Sequence, residues 1–268
     1  MQAKTITVVI DENGNSTIDL SGFHDNSCAK VAEISAAATA SRRNTGRLLI
    51  TRVPGVRNSN RRAGRRRVML LHATMSASRA NGPGLRAVVW FQGCSLQCPN
   101  CFNPATHPFE GRHIPPSGVA QAVFHATTTA PIEGVTFSGG EPMQQAADLL
   151  ELIEEFRNRD RRLSFGLFTG YTERELASGR YLCVSRQSGE QRRDLWYRIR
   201  ERLDFAVMGR YNQHRPASAP LCSSGNQRLR LLSSRYKMRD FPPLQMEITI
   251  VDSGLAQLTG FPILGNPL

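Results

Sequence analysis

Apolar and polar residues alternate at the start of the chain. Ile6, Val8 and Ile10 are spaced by Thr7 and Val9, close to the period of two that marks a half-buried strand. Asp11 to Asn15 carries the Asn and Gly chemistry of a turn. Thr17 to Leu20 returns as a second strand, which predicts a hairpin. Ser27 is a helix cap for an alanine-rich stretch reaching about Ala38. Residues 1–40 thus read as a small ββα unit. A unit of about 40 residues buries too little surface to be comfortable alone, so it is expected to dock on something.

From residue 68 onward the period switches repeatedly between two and 3.6. Strands are expected at Arg86–Phe91, Gly134–Phe137, Leu163–Phe168 and Phe205–Met208. Helices are expected at Ser117–His125, Met143–Arg157, Thr172–Ala177 and Asp194–Leu203. In the second helix Ala146, Leu149, Leu150, Ile153 and Phe156 recur at i, i+3, i+4 spacing and make one apolar face. Repeated β-α units imply an α/β fold with a parallel sheet and helices outside it. Residues 245–262 change character: Met246–Val251 and Leu255–Thr259 flank Asp252-Ser253-Gly254, which reads as a β-hairpin closing the 68–268 domain.

Composition changes this picture in one place. The net charge is +12, yet residues 41–67 hold ten arginines and no lysine, aspartate or glutamate. The basic balance therefore belongs mostly to one segment, broken by Pro54, Gly55 and Gly64. It reads as a solvated linker in preference to a nucleic-acid arm, because no aromatics are interleaved for base stacking. No apolar run approaches the length of a membrane span. The first residues lack the basic and apolar regions of a signal peptide, so no membrane association is expected and the cytoplasm is the expected compartment. Six cysteines in 268 residues are too few for a disulfide scaffold.

Three of those cysteines fall within eight residues: Gly93-Cys94-Ser95-Leu96-Gln97-Cys98-Pro99-Asn100-Cys101-Phe102. Thiolates in such a cluster suit an iron–sulfur centre or zinc. A cubane [4Fe–4S] centre normally takes four cysteines, so three in one loop leave an iron without a protein ligand. The alternative is a structural Cys₃His zinc site with His107 as fourth ligand, and the loop alone does not separate the two. A second motif, Val135-Thr136-Phe137-Ser138-Gly139-Gly140-Glu141-Pro142, ends a strand and opens a helix. Its glycines permit close backbone approach, and Glu141 offers a carboxylate to an ammonium group. A plain turn with Pro142 at the first helical position is the simpler reading of this motif by itself.

Taken together, these residues resemble the radical S-adenosylmethionine (SAM) superfamily, which pairs a CxxxCxxC loop after the first barrel strand with a GGE motif after the second. The sequence is most similar to activating proteins of glycyl-radical enzymes, in particular those of anaerobic ribonucleotide reductase. Asn81-Gly82-Pro83-Gly84-Leu85-Arg86, Phe168-Thr169-Gly170-Tyr171-Thr172, Gly209-Arg210-Tyr211 and Ser224-Gly225-Asn226-Gln227-Arg228 resemble further segments of that group, so the likeness runs over residues 81–228. Met208 stands where relatives often carry an acid, and Asn100 replaces an aromatic common before the last cysteine. The N-terminal part looks like a small bacterial domain outside the ordinary activase.

The resemblance implies a partial (β/α)6-type barrel with its site at the C-terminal strand ends. It implies two cofactors, a [4Fe–4S] cluster on Cys94, Cys98 and Cys101, and SAM chelating the fourth iron. Ser138, Gly139, Gly140 and Glu141 would hold the methionine end of SAM. Asn100 and Phe102 would lie near its adenine, with Thr169 and Asn226 as further contacts. The implied reaction is reductive cleavage of SAM to a 5′-deoxyadenosyl radical, which places a glycyl radical on a partner enzyme. No side chain is expected to act as acid or base, because the cofactors carry the hard step. The implied partners are a protein substrate and a flavodoxin- or ferredoxin-type electron donor. A radical SAM enzyme acting on another peptide or small molecule, and a non-catalytic metal-binding module, are the competing readings.

Overall fold

The computed structural model describes residues 4–10, 16–21, 67–127, 131–215, 217, 219–241, 243, 245–250 and 256–261. The helix expected over 27–38 and all of the arginine-rich segment except Arg67 lie outside the described residues. In chain order the strands are β1 (Lys4–Ile10), β2 (Ser16–Ser21), β3 (Met69–Ser78), β4 (Arg86–Phe91), β5 (Arg112–Ile114), β6 (Gly134–Gly139), β7 (Ser164–Thr169), β8 (Phe205–Met208), β9 (Arg228–Leu231), β10 (Gln245–Ile250) and β11 (Ala256–Gly260). The helices are α1 (Pro116–Ala126), α2 (Ala146–Arg159), α3 (Glu173–Ala177) and α4 (Gly189–Arg200).

The chain divides into two units. One joins Met1–Thr51 to Pro243–Leu268 and contains a four-stranded antiparallel sheet in the order β11-β10-β1-β2. Both expected hairpins form, and β10 pairs with β1, with Ile248 opposite Ile6. The terminal hairpin, expected within the larger domain, thus groups with the N-terminal one. A lone two-stranded hairpin is marginal in water, and pairing the two makes a four-stranded sheet.

The other unit, Arg52–Pro242, is built on a seven-stranded sheet in the order β5-β3-β4-β6-β7-β8-β9. β4, β6, β7 and β8 run parallel, while β3, β5 and β9 are antiparallel to their neighbours. The expected α/β class with a parallel-rich sheet is therefore present. β4 is nearly continuous apolar sequence and all but Trp90 is buried, as a strand covered on both faces requires. The expected apolar face of α2 packs into the core. Its helix starts later than the sequence suggests, because residues Pro142–Gln145 form a 3₁₀ turn first. α4 starts earlier, at a capping box in which Ser188 and Gln191 satisfy each other's backbone N–H groups.

At the opposite end of the sheet from the motifs sits Arg86, fully buried. Its guanidinium donates to Thr136 Oγ1 at 2.8 Å, Ser164 Oγ at 2.7 Å, and the carbonyls of Pro83, Val135 and Ser164 at 3.1 Å each. Burial pulls its pKa down, and five hydrogen bonds to neutral oxygens take the place of water. The residue ties β4, β6 and β7 at their N-terminal ends. Arg86→Met fills the space but strips these oxygens of a buried donor, with Ser164 Oγ keeping another, Tyr236 OH at 2.7 Å. It is expected to cost about 3–5 kcal/mol, read as a lower urea midpoint.

Candidate functional site

The four parallel strands deliver the motifs to one edge. β4 leads into Gln92-Gly93-Cys94, β6 into Gly140-Glu141, β7 into Gly170-Tyr171 and β8 into Gly209-Arg210. Ligand sites of α/β sheets form at this C-terminal edge.

The two glycines after β6 act first on the cysteine loop. Gly140 N donates to Phe91 O at 2.8 Å and Glu141 N donates to Gly93 O at 2.9 Å. Gly139 has φ +100°, and a Cβ there would lie 2.5 Å from Phe91 N; one on Gly140 would lie 2.4 Å from Gly93 O. The missing side chains are what let the turn lie on the root of the cysteine loop.

Glu141 is completely buried. Its Oε1 accepts from Met143 N at 2.9 Å and from Thr169 Oγ1 at 2.8 Å, and its Oε2 accepts from Gly170 N at 2.7 Å. Burial pushes its carboxyl up to about 7, against these donors. Thr169 Oγ1 in turn accepts from Tyr171 N at 3.1 Å. The Glu141 and Thr169 side chains, expected at SAM, therefore join the ends of β6 and β7 to each other.

Cys94, Cys98 and Cys101 share the loop beyond Gly93, with Gln97 and Asn100 in left-handed conformations at φ +46° and +52°. Cys101 lies close enough to both other thiols for the charges to interact. Burial pushes Cys94 up to about 11, opposed by the backbone N–H groups of Leu96 and Gln97. Cys101 is likewise raised by burial and opposed by the N–H of Asn103. Such N–H groups are suited to a sulfur that carries negative charge when it binds metal. Cys98, Cys101 and His107 line an open cavity of about 610 Å³ with Gln97, Asn100 and Pro104. Among the described residues no group of three or more His, Cys, Asp or Glu is arranged to hold a single ion. A cubane asks something different, since each thiolate binds its own iron at a separate corner. One buried and two half-buried thiols on one loop, with N–H donors to Cys94 and Cys101 and an open cavity beside Cys98 and Cys101, fit that demand.

Of the other expected residues, Asn100 lines this cavity, and Phe102, Asn226 and Ser138 are not among its lining. Asn100 Nδ2 donates to Gln213 Oε1 at 2.5 Å. Phe102 stacks at a tilt on Tyr211, ring centres 4.7 Å apart. Asn226 Nδ2 donates to Arg210 O at 2.6 Å, while its buried Oδ1 has no hydrogen-bond partner among the described residues. Ser138 is half-buried at the end of β6.

Several residues that no sequence motif marks hold the arrangement. Gln144 is buried; its Nε2 donates to Ser95 Oγ at 2.6 Å and Tyr171 OH at 2.9 Å, and its Oε1 accepts from Ser95 N at 3.1 Å. Gln145 donates to the carbonyl of Gln92 at 2.8 Å and accepts from Leu70 N at 2.7 Å. Gln92 donates to the carbonyls of Ala105 and Pro108 beyond the cysteines. Arg210 forms a two-pronged pair with Glu175 at 2.8 and 2.9 Å; that hydrogen bonding holds the Glu175 carboxyl down at about 2. Arg210 also covers the Tyr171 ring, 5.4 Å from its centre. The only sequence signal for the glutamines is two adjacent amides following GGEP at positions the packing buries.

A three-cysteine loop after one parallel strand, seated on a Gly-Gly-Glu turn after the next, defines an iron–sulfur protein of the radical SAM type. The chain belongs to the 4Fe-4S single cluster domain family, which it matches over residues 80–230, more than half its length. It is similar to the pyruvate formate-lyase-activating enzyme of Clostridium pasteurianum, with 34% identity over 87 residues, 31% of this chain and 37% of that protein. It is also similar to the anaerobic ribonucleoside-triphosphate reductase-activating proteins of Escherichia coli K12, at 28% identity over 36% of this chain and 65% of that protein, and of phage T4, at 26% identity over 56% and 85%. The chain thus spans from about a third to just under two thirds of the first two. These likenesses bear out the activase-like radical SAM resemblance and its two cofactors, a [4Fe–4S] cluster and SAM. Among the described residues no helix is long and apolar enough to cross a membrane.

The raised Glu141 carboxyl has a thermodynamic consequence. Its ordinary value is 4.5 and its folded value about 7, so the folded chain binds that proton more tightly than the unfolded one. The associated stabilisation is complete below about pH 4.5 and is lost as pH rises through about 7. Glu141→Gln has no such titration. The stability advantage of wild type over this variant is expected to shrink between about pH 5 and about pH 8, measured as urea midpoints on the metal-free protein.

Proposed function

We propose that this chain is a radical SAM activase that generates a glycyl radical on a partner protein. The observation that carries this reading is the direct seating of the Gly-Gly-Glu turn on the cysteine loop, through the Gly140–Phe91 and Glu141–Gly93 hydrogen bonds. In this reading the four parallel strands and their neighbours are the partial (β/α)6-type barrel of the superfamily. Cys94, Cys98 and Cys101 would each hold one iron of a [4Fe–4S] cluster and leave the fourth to SAM. Bound together, the two cofactors would supply one-electron reductive cleavage of the sulfonium, and with it hydrogen abstraction from the substrate.

The chain's own part is binding, orientation and exclusion of water. Ser138, Gly139 and Gly140 present backbone and a hydroxyl to the methionine end. Glu141 and Thr169 serve that end as positioning residues, since their polar atoms already hold β6 to β7. Phe102, braced by Tyr211, gives the adenine a face to stack on, and Asn100 gives it an edge to pair with. The Oδ1 of Asn226, unpartnered among the described residues, is an acceptor for a donor on the nucleoside.

The test is anaerobic reconstitution followed by dithionite and SAM, with 5′-deoxyadenosine measured by chromatography. Wild type is expected to form it, and Cys98→Ala to fall to background. A protein with a verified, reducible cluster that forms none would contradict the proposal.

A further inference from the structure

Large apolar side chains exposed singly on a surface need no explanation. Leu182 and Val184 are different: they stand two residues apart on one loop, 62% and 53% exposed. The loop is held rigidly. Tyr181 is buried and donates its hydroxyl proton to Arg192 O at 2.5 Å. Arg180 N donates to Glu175 O at 2.8 Å. Arg192 spans the loop's two ends, donating to Gly179 O and Gln187 O at 2.8 Å each. A braced loop that keeps two aliphatic side chains outward is preorganised for contact.

Its inner side is bolted to the cysteine loop. Leu182 N donates to Tyr171 OH at 3.1 Å. That hydroxyl accepts from Gln144 Nε2 at 2.9 Å, and Gln144 Oε1 accepts from Ser95 N at 3.1 Å. Ser95 follows Cys94 directly. A second strut is Val184 N donating to Gln144 O at 2.8 Å, and Cys183 Sγ lies 3.5 Å from Met143 O. Three hydrogen bonds therefore lead from the exposed loop to the neighbour of a cysteine expected to bind iron. The loop's charge is one-sided: Arg180 and Arg186 are exposed on either side of the apolar pair, and no acid occurs between Glu175 and Glu190. The half-buried Asp148 carboxylate helps to raise the Cys183 thiol.

We infer that the Arg180–Arg186 loop is the docking surface for an acidic electron-carrier protein, and that the reducing electron enters through it. This rests on the function proposed above and adds where its donor binds. One electron leaves the donor's reduced flavin and is taken up by the cluster; no atom is transferred. An apolar centre with basic flanks suits a small, transient contact of the electron-transfer kind, in which rim charges set the encounter rate.

The probe is an acidic flavodoxin. Its binding in the oxidised form is measured by calorimetry on the cluster-loaded protein, and cluster bleaching by its hydroquinone is followed in stopped flow. The double variant Arg180→Glu/Arg186→Glu is expected to weaken binding and slow bleaching by about tenfold or more, with wild type losing affinity as salt rises. Leu182→Ser/Val184→Ser is expected to weaken binding with little change in salt dependence. Dithionite, a small reductant, is expected to support equal 5′-deoxyadenosine formation in wild type and all variants. Unchanged flavodoxin binding and bleaching in both double variants would overturn the docking surface. Absence of dithionite-driven SAM cleavage in wild type would instead overturn the proposed function, and the calorimetric comparison would still judge the surface.

Discussion

The site depends on how closely two backbones approach. The turn after β6 lies on the root of the cysteine loop at hydrogen-bonding distance, which positions 139 and 140 allow because neither carries a Cβ. Everything around that contact preserves it. Glu141 is drawn under the turn and fixes β7 to β6. Gln144 and Gln145, on the 3₁₀ turn that follows, reach back to Ser95 and Gln92 on both sides of Gly93. The result is a loop whose three thiols are presented by a frame of buried amides and one buried carboxylate. Unpaired polar groups in that position would be costly, and the bonds described above give each of these side chains partners.

The two ends of the parallel sheet use opposite chemistry. At the N-terminal end a buried guanidinium ties three strands through neutral oxygens. At the C-terminal end a buried carboxylate ties two strands through N–H and hydroxyl donors. Burial pulls Arg86 down and pushes Glu141 up; both charges are disfavoured by desolvation and compensated by hydrogen bonds. A sheet clamped at both ends keeps its C-terminal edge rigid, which is what a preorganised cofactor site demands.

Much of this was legible in the sequence. The parallel strands β4, β6, β7 and β8 were marked by apolar runs followed by glycine. The cysteine spacing and GGEP marked the site. What pattern alone did not mark is instructive. β3 reads as an apolar run that does not declare strand or helix, and β9 alternates arginine with leucine as an edge strand does. The roles of Gln92, Gln144 and Gln145 depend on burial, which an amide's identity does not announce. The hydrogen bond between Thr169 and Glu141 is likewise invisible in one dimension, since the two residues lie on different strand ends. The pairing of β10 with β1 joins segments more than two hundred residues apart, beyond the reach of any local pattern.

The central claim is that three cysteines hold a [4Fe–4S] cluster with one iron left open to SAM. The most direct measurement is the electron paramagnetic resonance spectrum of the reduced, reconstituted protein before and after SAM is added. The account predicts a cubane signal that changes on addition, because a new ligand has reached the open iron. A cubane signal indifferent to saturating SAM would contradict it.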